Sequence, residues 1–420
     1  MNSNADHSLM ITPIFPDSGG NGLARRAAMF VNALAKVGNV DVLVLPIFGS
    51  GRTGMSASAM HPSVRCFQVP ATALPDSRFA LLKMLPDPAE RLSAFKSFGK
   101  PSVFGSISAG VLSASLAQTA QQAYRHVHVF RTYCAPLGLN IAHHLQKQQG
   151  AALIKTLDVD EDDASVYGAI ADAKARNGMF LEGLWDQQEA DAHEGLSRDV
   201  LAEFNAVFVS SQIERRRLIS RHNAVSIVAS NAVNAGLPIN KMPSSGMLLF
   251  VGTMGYYPNQ HAMDWFLCNC WPLLAKARGG LSVTIAGAGP TRVLQRYNRV
   301  PGIRALGWVD DIERYYRDAS LFLAPLQIGG GTRLKLLEAA TYGLPIVSTA
   351  KGAEGLNLSN HRDYWQADLP ELFVQSIMHA ISGKNERTRR AVNARRNVSL
   401  HHDLERVTNK VANAFHTLLK

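Results

Sequence analysis

The chain has 420 residues, 46% of them apolar, which is enough for two domains of ordinary size with separate cores and excludes a single small module. Its net charge of +10 favours anionic partners, whether nucleotides, nucleic acid or an acidic membrane surface, without choosing among them. Four cysteines (Cys66, Cys134, Cys268, Cys270) are too few for a disulfide framework, and Cys268-x-Cys270 has no second pair to complete a zinc site.

The N-terminus, MNSNADHSLMITPIF, has neither the basic region nor the apolar core of a secretory signal, and no apolar run approaches the roughly 20 residues of a membrane span. A cytoplasmic chain is therefore expected. Short β-branched runs alternate with helical patterns, the signature of parallel sheets flanked by helices. Strands are predicted near 8–15, 40–47, 126–132, 151–158, 206–211 and 225–230, and a second series near 247–253, 281–287, 303–309, 320–326 and 345–350. Between the two series, GLPINKMPSSG at 236–246 is rich in Pro, Gly and Ser and reads as a linker. The expected division is an N-terminal domain over 1–238, a C-terminal domain over 239–385, and a C-terminal helix over 386–420 packing back toward the first domain. Two doubly wound domains in tandem would leave a cleft at the C-terminal edges of their sheets, where such sheets bind ligands.

Along the first half, Asp17, Gly19, Gly20 and Asn21 form the first strand-to-helix turn, and their backbone suits either phosphates or simply a tight turn. Residues 78–104 mix Arg78, Lys83, Arg91, Lys96 and Lys100 with Phe79, Leu81, Leu82, Met84, Phe95, Phe98 and Phe104. This reads either as a helical hairpin completing a core or as an amphipathic contact with an anionic membrane. His128 and Arg131 fall on one strand, and Asp158, with Asp160, Glu161, Asp162 and Asp163, follows another. The acidic run suits a divalent metal or an acceptor hydroxyl, or is merely a solvated loop. The pairs His143-His144 and His401-His402 have no metal-ligand spacing and read as surface.

The most informative stretch is 329–349, GGGTRLKLLEAATYGLPIVST, which follows the strand SLFLAPL. Gly329, Gly330 and Gly331 turn the chain from a strand edge into a helix expected from about Thr332 to Gly343. A helix start carries unpaired N–H groups and positive dipole, and glycine lets an anion approach closely. Arg333 and Lys335 add cations in the first turn, where the dipole alone would favour acidic residues, so the site reads as built for phosphate.

At these residues the chain resembles the retaining GT-B glycosyltransferases of the group-one type. The order PL-x-x-GGGTRLK-x-LEAA-x-x-G-x-PIVST, with Gly352-Ala353-Glu354-Gly355 after it, is similar to their C-terminal nucleotide-sugar site. Segments 248–266, 284–290 and 307–326 resemble the elements of that domain, and 8–35 and 228–233 resemble parts of the other. The resemblance implies a GT-B architecture of two Rossmann-like domains facing a cleft. It also implies a nucleoside diphosphate sugar as donor, a glycan or lipid-linked acceptor, and retention of configuration by attack on the same face.

Two departures from the family pattern stand out. Of its two glutamates separated by seven residues, Glu338 fills the second place, which touches the ribose, and Gly330 stands in the first, which touches the sugar. The Arg and Lys usual after the first strand of the C-terminal domain are missing: Gly252-Thr253-Met254 ends that strand, and no Arg or Lys follows before Lys276. Arg333 and Lys335 are expected to supply that charge. The candidate reactive groups are thus Arg333, Lys335 and Glu338, with Gly19, Gly20, Gly252, Thr253, Gly329, Gly330, Gly331 and Thr332 binding the donor and His128, Arg131 and Asp158 on the acceptor side. Neither a metal nor a separate cofactor is expected, nor nucleic acid as a partner. An anionic surface on the inner face of the membrane is the further expected partner, and cell-surface polysaccharide synthesis the expected setting. A catalytically silent subunit that binds a nucleotide or partner protein is the alternative. A dinucleotide fingerprint at Gly287 and Gly289, with Asp310 and Asp311 downstream, lacks its third glycine, whose place Arg292 takes, and leaves GGGTRLK unexplained.

Overall fold

A computed structural model describes residues 7–45, 47, 61–69, 77–107, 109–119, 122–236 and 246–420. The predicted linker falls largely at 237–245, outside the described residues, and so does the expected boundary at 238/239. Thirteen strands form two sheets among the described residues. The first contains β1 (His7–Thr12), β2 (Asn39–Val44), β3 (Val64–Gln68), β4 (His126–Phe130), β5 (Ile154–Asp160), β6 (Ala206–Val209) and β7 (Ser226–Val228) in the order β3-β2-β1-β4-β5-β6-β7. The second contains β8 (Met247–Val251), β9 (Ser282–Ala286), β10 (Ile303–Gly307), β11 (Leu321–Ala324), β12 (Ile346–Ser348) and β13 (Trp365–Gln366) in the order β10-β9-β8-β11-β12-β13. All pairings are parallel, so each connection must cross over a face of its sheet, and both faces are covered. That is why the central strands read as apolar runs rather than alternations: β4 and β11 are buried at every position.

The chain groups into one unit of residues 1–229 and 407–420 and a second of 230–406. The tail thus divides differently from the expectation. Helix Lys384–His401 belongs to the second unit, because Ala394 and Val398 are buried with Leu336, Ala339 and Ala340; helix Leu404–Leu418 belongs to the first from Val407 on. There Phe415 packs against Phe30, His126, His128 and Phe208.

Each predicted strand has its counterpart; β3 and β13 were not foreseen. The first, VRCFQ, is an edge strand with largely exposed residues and little apolar signal, and the second is two residues long. Segment 78–104 forms helices Ser77–Met84 and Pro88–Phe98, the latter capped by Asp87, whose side chain accepts from Ala89 and Glu90 N–H. Phe79, Leu82 and Phe95 are buried together, and Phe95 stacks on Trp185 at 4.3 Å.

Candidate functional site

In the second unit, β11 leads through Pro325 and Leu326 into the three glycines, and the helix runs over Leu334–Thr341, two residues later than expected. Gly329 (φ 118°) and Gly331 (φ 62°) hold backbone conformations that side chains disfavour, so the turn requires glycine there. Gly343 (φ 72°) closes the helix in the left-handed conformation. Arg333 folds back over the turn: its Nη1 donates to Gly331 O at 2.7 Å, and a Cβ on Gly329 would meet its Nη2 at 3.0 Å. Nη2 of Arg333 and Oγ1 of Thr332 are buried without a hydrogen-bond partner. Two such atoms beside a helix start are available to an acceptor-rich ligand.

Lys335 crosses from this helix to the end of β8. Its Nζ donates to Asn259 Oδ1 at 2.7 Å, lies 4.7 Å from the centre of the Phe250 ring, and would be 2.8 Å from a Cβ on Gly252. Burial and then the neighbouring Arg333 charge push its pKa down to about 7, against the opposing pull of Glu338. One turn further on, Glu338 Oε2 accepts from the Tyr316 hydroxyl at 2.8 Å; Tyr316 is itself fixed by stacking on Tyr342 at 5.1 Å. Thr253 sits at the same strand end, its carbonyl accepting from Asn259 Nδ2 at 2.9 Å. The second unit therefore brings Gly252, Thr253, Thr332, Arg333 and Lys335 to one edge of its sheet. Asn259 and Tyr316 were not foreseen. Asn259 sits in the first turn of helix Tyr257–Trp265, where a polar residue reads as a cap, and Tyr316 reads as core.

Gly287 and Gly289 serve close backbone packing. A Cβ on Gly287 would lie 2.2 Å from Gly252 O, and one on Gly289 2.6 Å from Met254 Cβ. Asp310 accepts from Trp308 Nε1 and Asp311 from Arg314 N–H, both in an exposed turn.

In the first unit, Gly19 N–H donates to Asp17 Oδ1 at 2.8 Å, and Asn21 caps helix Gly22–Ala35 by accepting from Ala24 N–H. The turn's own hydrogen bonds thus account for its composition. The acceptor-side candidates need correction. His128 is fully buried in mid-strand, stacked on Phe30 at 4.8 Å, with Nδ1 on Thr156 Oγ1 at 2.8 Å. Asp158 is fully buried in a two-point pair with Arg26 at 2.8 and 2.7 Å, and Arg26 also donates to Ala229 O. Arg131 is ringed by carboxylates, Asp163 at 2.6 Å, Asp160 at 3.4 Å and Glu161 at 3.7 Å, which is no setting for an anion. Asp162 meanwhile pairs with Arg221 at 2.8 Å, so the acidic run is neutralised by arginines, and no group of metal-binding residues occurs among the described residues. His143 and His144 are exposed as expected, but His402 is buried, between Asn231 O at 2.8 Å and Leu356 O at 3.1 Å.

Residues 245–382 match the family model described as glycosyl transferases group 1, a span holding the glycine turn and Lys335. A curated Klebsiella pneumoniae protein, described as an uncharacterized 44.6 kDa protein in the cps region, is 25% identical over 150 residues, 33% of this chain and 39% of its own length. Among solved structures, a sucrose-phosphate synthase from Thermosynechococcus elongatus superposes with a TM-score of 0.69 at 14% identity, covering 98% of this chain and 99% of its own. TarM, from S. aureus, gives 0.68 at 9% identity over 100% and 99%; Anabaena HepE, solved with UDP and glucose, gives 0.61 at 12% over 98% and 99%. The chain has the GT-B fold of these glycosyltransferases.

Proposed function

We propose, from the premise that residues 245–382 carry the group 1 glycosyl transferase pattern on a GT-B fold, that the chain moves a sugar from a nucleoside diphosphate sugar to a glycan or lipid-linked acceptor with retention of configuration. The observation that carries this reading is the edge where Arg333 Nη2 and Thr332 Oγ1 lie buried without partners and Lys335 Nζ stands beside Gly252. Departure of a nucleoside diphosphate builds negative charge on its phosphate oxygens. A helix N-terminus, a guanidinium and an ammonium fixed beforehand stabilise that charge with little reorganisation. The chain need supply no nucleophile: the acceptor hydroxyl attacks the face the diphosphate leaves, and a phosphate oxygen takes its proton. Glu338, oriented by Tyr316, receives the ribose hydroxyls.

Cell-surface polysaccharide synthesis is the setting supported by the relative from a cps region. The proposed location is the cytoplasm, at the inner face of the membrane. Exposed Leu81 and Met84 beside exposed Arg78, Lys96 and Lys100 support that contact; the side chain of Lys83 lies outside the described set. No helix among the described residues is long and apolar enough to cross a membrane.

Gly330, in the place of the sugar-binding glutamate, favours one competing reading, a silent subunit that binds a nucleotide without turnover. Incubation with UDP-, GDP- and ADP-sugars, with and without lipid extract, separates the two. Acceptor-dependent release of nucleoside diphosphate is expected, and tight nucleotide binding with no release across the panel would establish the silent reading instead.

A further inference from the structure

The lysine at the proposed phosphate edge comes from an unusual direction. β8 runs out into Gly252-Thr253-Met254, which offers no cation of its own, so the charge arrives from a helix on the far side of the turn, at the end of a long flexible side chain. The Phe250 face attracts an ammonium but does not fix its lateral position. A directional contact is needed, and Asn259 makes one. Its amide is 7% exposed and its orientation is set from both ends: Nδ2 donates to Thr253 O at 2.9 Å, and Oδ1 accepts from Lys335 Nζ at 2.7 Å. Its backbone N–H donates to Tyr256 O at 3.1 Å in the first turn of helix Tyr257–Trp265. Gly252 completes the arrangement, since a Cβ there would meet both Lys335 Nζ at 2.8 Å and Asn259 Nδ2 at 2.9 Å.

We propose that Asn259 is a positioning residue of this site, holding the Lys335 ammonium at the Gly252–Thr253 turn where the donor diphosphate is received. The inference rests on the phosphate reading of the same edge. A point charge on a four-carbon stem loses conformational freedom when it engages a phosphate, and a side chain that has already fixed it removes much of that loss. The amide also suits the task chemically. A carboxylate in its place would neutralise the lysine and repel the phosphates, whereas a carbonyl oxygen accepts the hydrogen bond and leaves the positive charge intact. The charges acting on Lys335 are those of Arg333, just before its helix, and Glu338 on it; the Tyr316 hydroxyl faces its carbonyl, and Phe250, Gly252 and Asn259, which face it from β8, the turn after it and the following helix, do not titrate. Burial and Arg333 push the lysine down to about 7, so its charge, and with it phosphate binding, should fall away as pH rises through neutrality.

The test uses the full chain and inorganic pyrophosphate, which probes the phosphate contacts without a base or sugar, titrated calorimetrically from pH 6 to 9. Asn259→Ala and Lys335→Ala should each weaken pyrophosphate about tenfold at pH 6.5, and the double variant should lose little more than either, because one contact is removed twice. Asn259→Asp keeps an acceptor for Lys335 and raises its pKa. The alkaline fall of affinity, taken relative to Lys335→Ala so that the titration of pyrophosphate cancels, should therefore move to higher pH. Additive losses in the double variant, or an alkaline limb unmoved by Asn259→Asp, would overturn the inference while leaving the phosphate reading in place. A Lys335→Ala chain that binds pyrophosphate as tightly as the native one removes the phosphate reading, and the inference with it.

Discussion

Single-residue variants at the glycine turn test the proposed phosphate and ribose contacts separately. Arg333→Ala should weaken a nucleoside diphosphate about tenfold or more while hardly affecting the bare nucleoside, since a charge-assisted contact is worth about 1.5–3 kcal/mol. Calorimetry with the two ligands checks it, and equal small losses would remove Arg333 from the site. Glu338, whose Oε2 the Tyr316 hydroxyl already orients, should behave differently. Glu338→Gln keeps one acceptor and part of the donor affinity, while the preference for a ribose over a 2′-deoxyribose donor should disappear. Arg26 and Asp158 illustrate a residue-scale arrangement that serves stability. Their pair is fully enclosed, at 2.7 and 2.8 Å, so Arg26→Met alone strands a buried carboxylate and should cost about 3–5 kcal/mol in urea unfolding. Asp158→Leu added to it should recover much of that loss. Both charges are visible in the sequence; that they neutralise each other is not, because 132 positions separate them.

At the scale of elements, the strand ends of the second unit are packed so closely that glycine becomes a structural requirement. Gly287 has φ 145° and space only for hydrogen, with Gly252 O 2.2 Å from where a Cβ would stand. Gly287→Ala should destabilise the second unit by about 2–4 kcal/mol, read as a lowered unfolding midpoint. The sequence shows the same glycine as half of a nucleotide fingerprint, since periodicity reports that a turn needs glycine without reporting whether a ligand or a neighbouring strand takes the space. The buried histidines of the first unit carry a second consequence. His126, His128 and His193 are buried; their pKa values are pushed down by burial, His126 to about 3 and His193 to about 4. Well above pH 6.5 neither the folded nor the unfolded chain protonates them, and their stability contribution is complete. As pH falls below 6.5 the unfolded chain takes up protons the folded chain refuses, so stability drops by up to about 1.4 kcal/mol per pH unit for each. The raised carboxylates Asp163, Glu189 and Glu214 act in the opposite direction, so the net slope is smaller. His128→Phe isolates one histidine: urea midpoints between pH 7.5 and 5 should decline less steeply in that chain than in the native one.

For the whole molecule, the charge of +10 and the helices at 77–98 bear on where the protein works. Phe79, Leu82 and Phe95 turn inward, whereas Leu81 (65% exposed) and Met84 (77%) do not, so the segment completes a small core and still offers apolar surface. Vesicle co-sedimentation should show binding that rises with anionic lipid, falls with salt, and drops when Lys96 and Lys100 become Glu, each basic residue contributing about 1 kcal/mol near such a surface. Binding indifferent to lipid charge and to both substitutions would favour a soluble acceptor. By itself, the sequence determined the class of fold, nearly every interior strand and the glycine turn with its two cations, because these are local: apolar runs of strand length, turn residues and helix starts act within a few positions along the chain. Only the tertiary structure decided what His128, Arg131 and Asp158 do, because burial and the identity of a partner depend on residues distant in the chain. Asn259 shows the same limit most clearly: in sequence it is a polar residue in a first helical turn, and it acquires its place only when folding brings Lys335, 76 positions away, to within 2.7 Å.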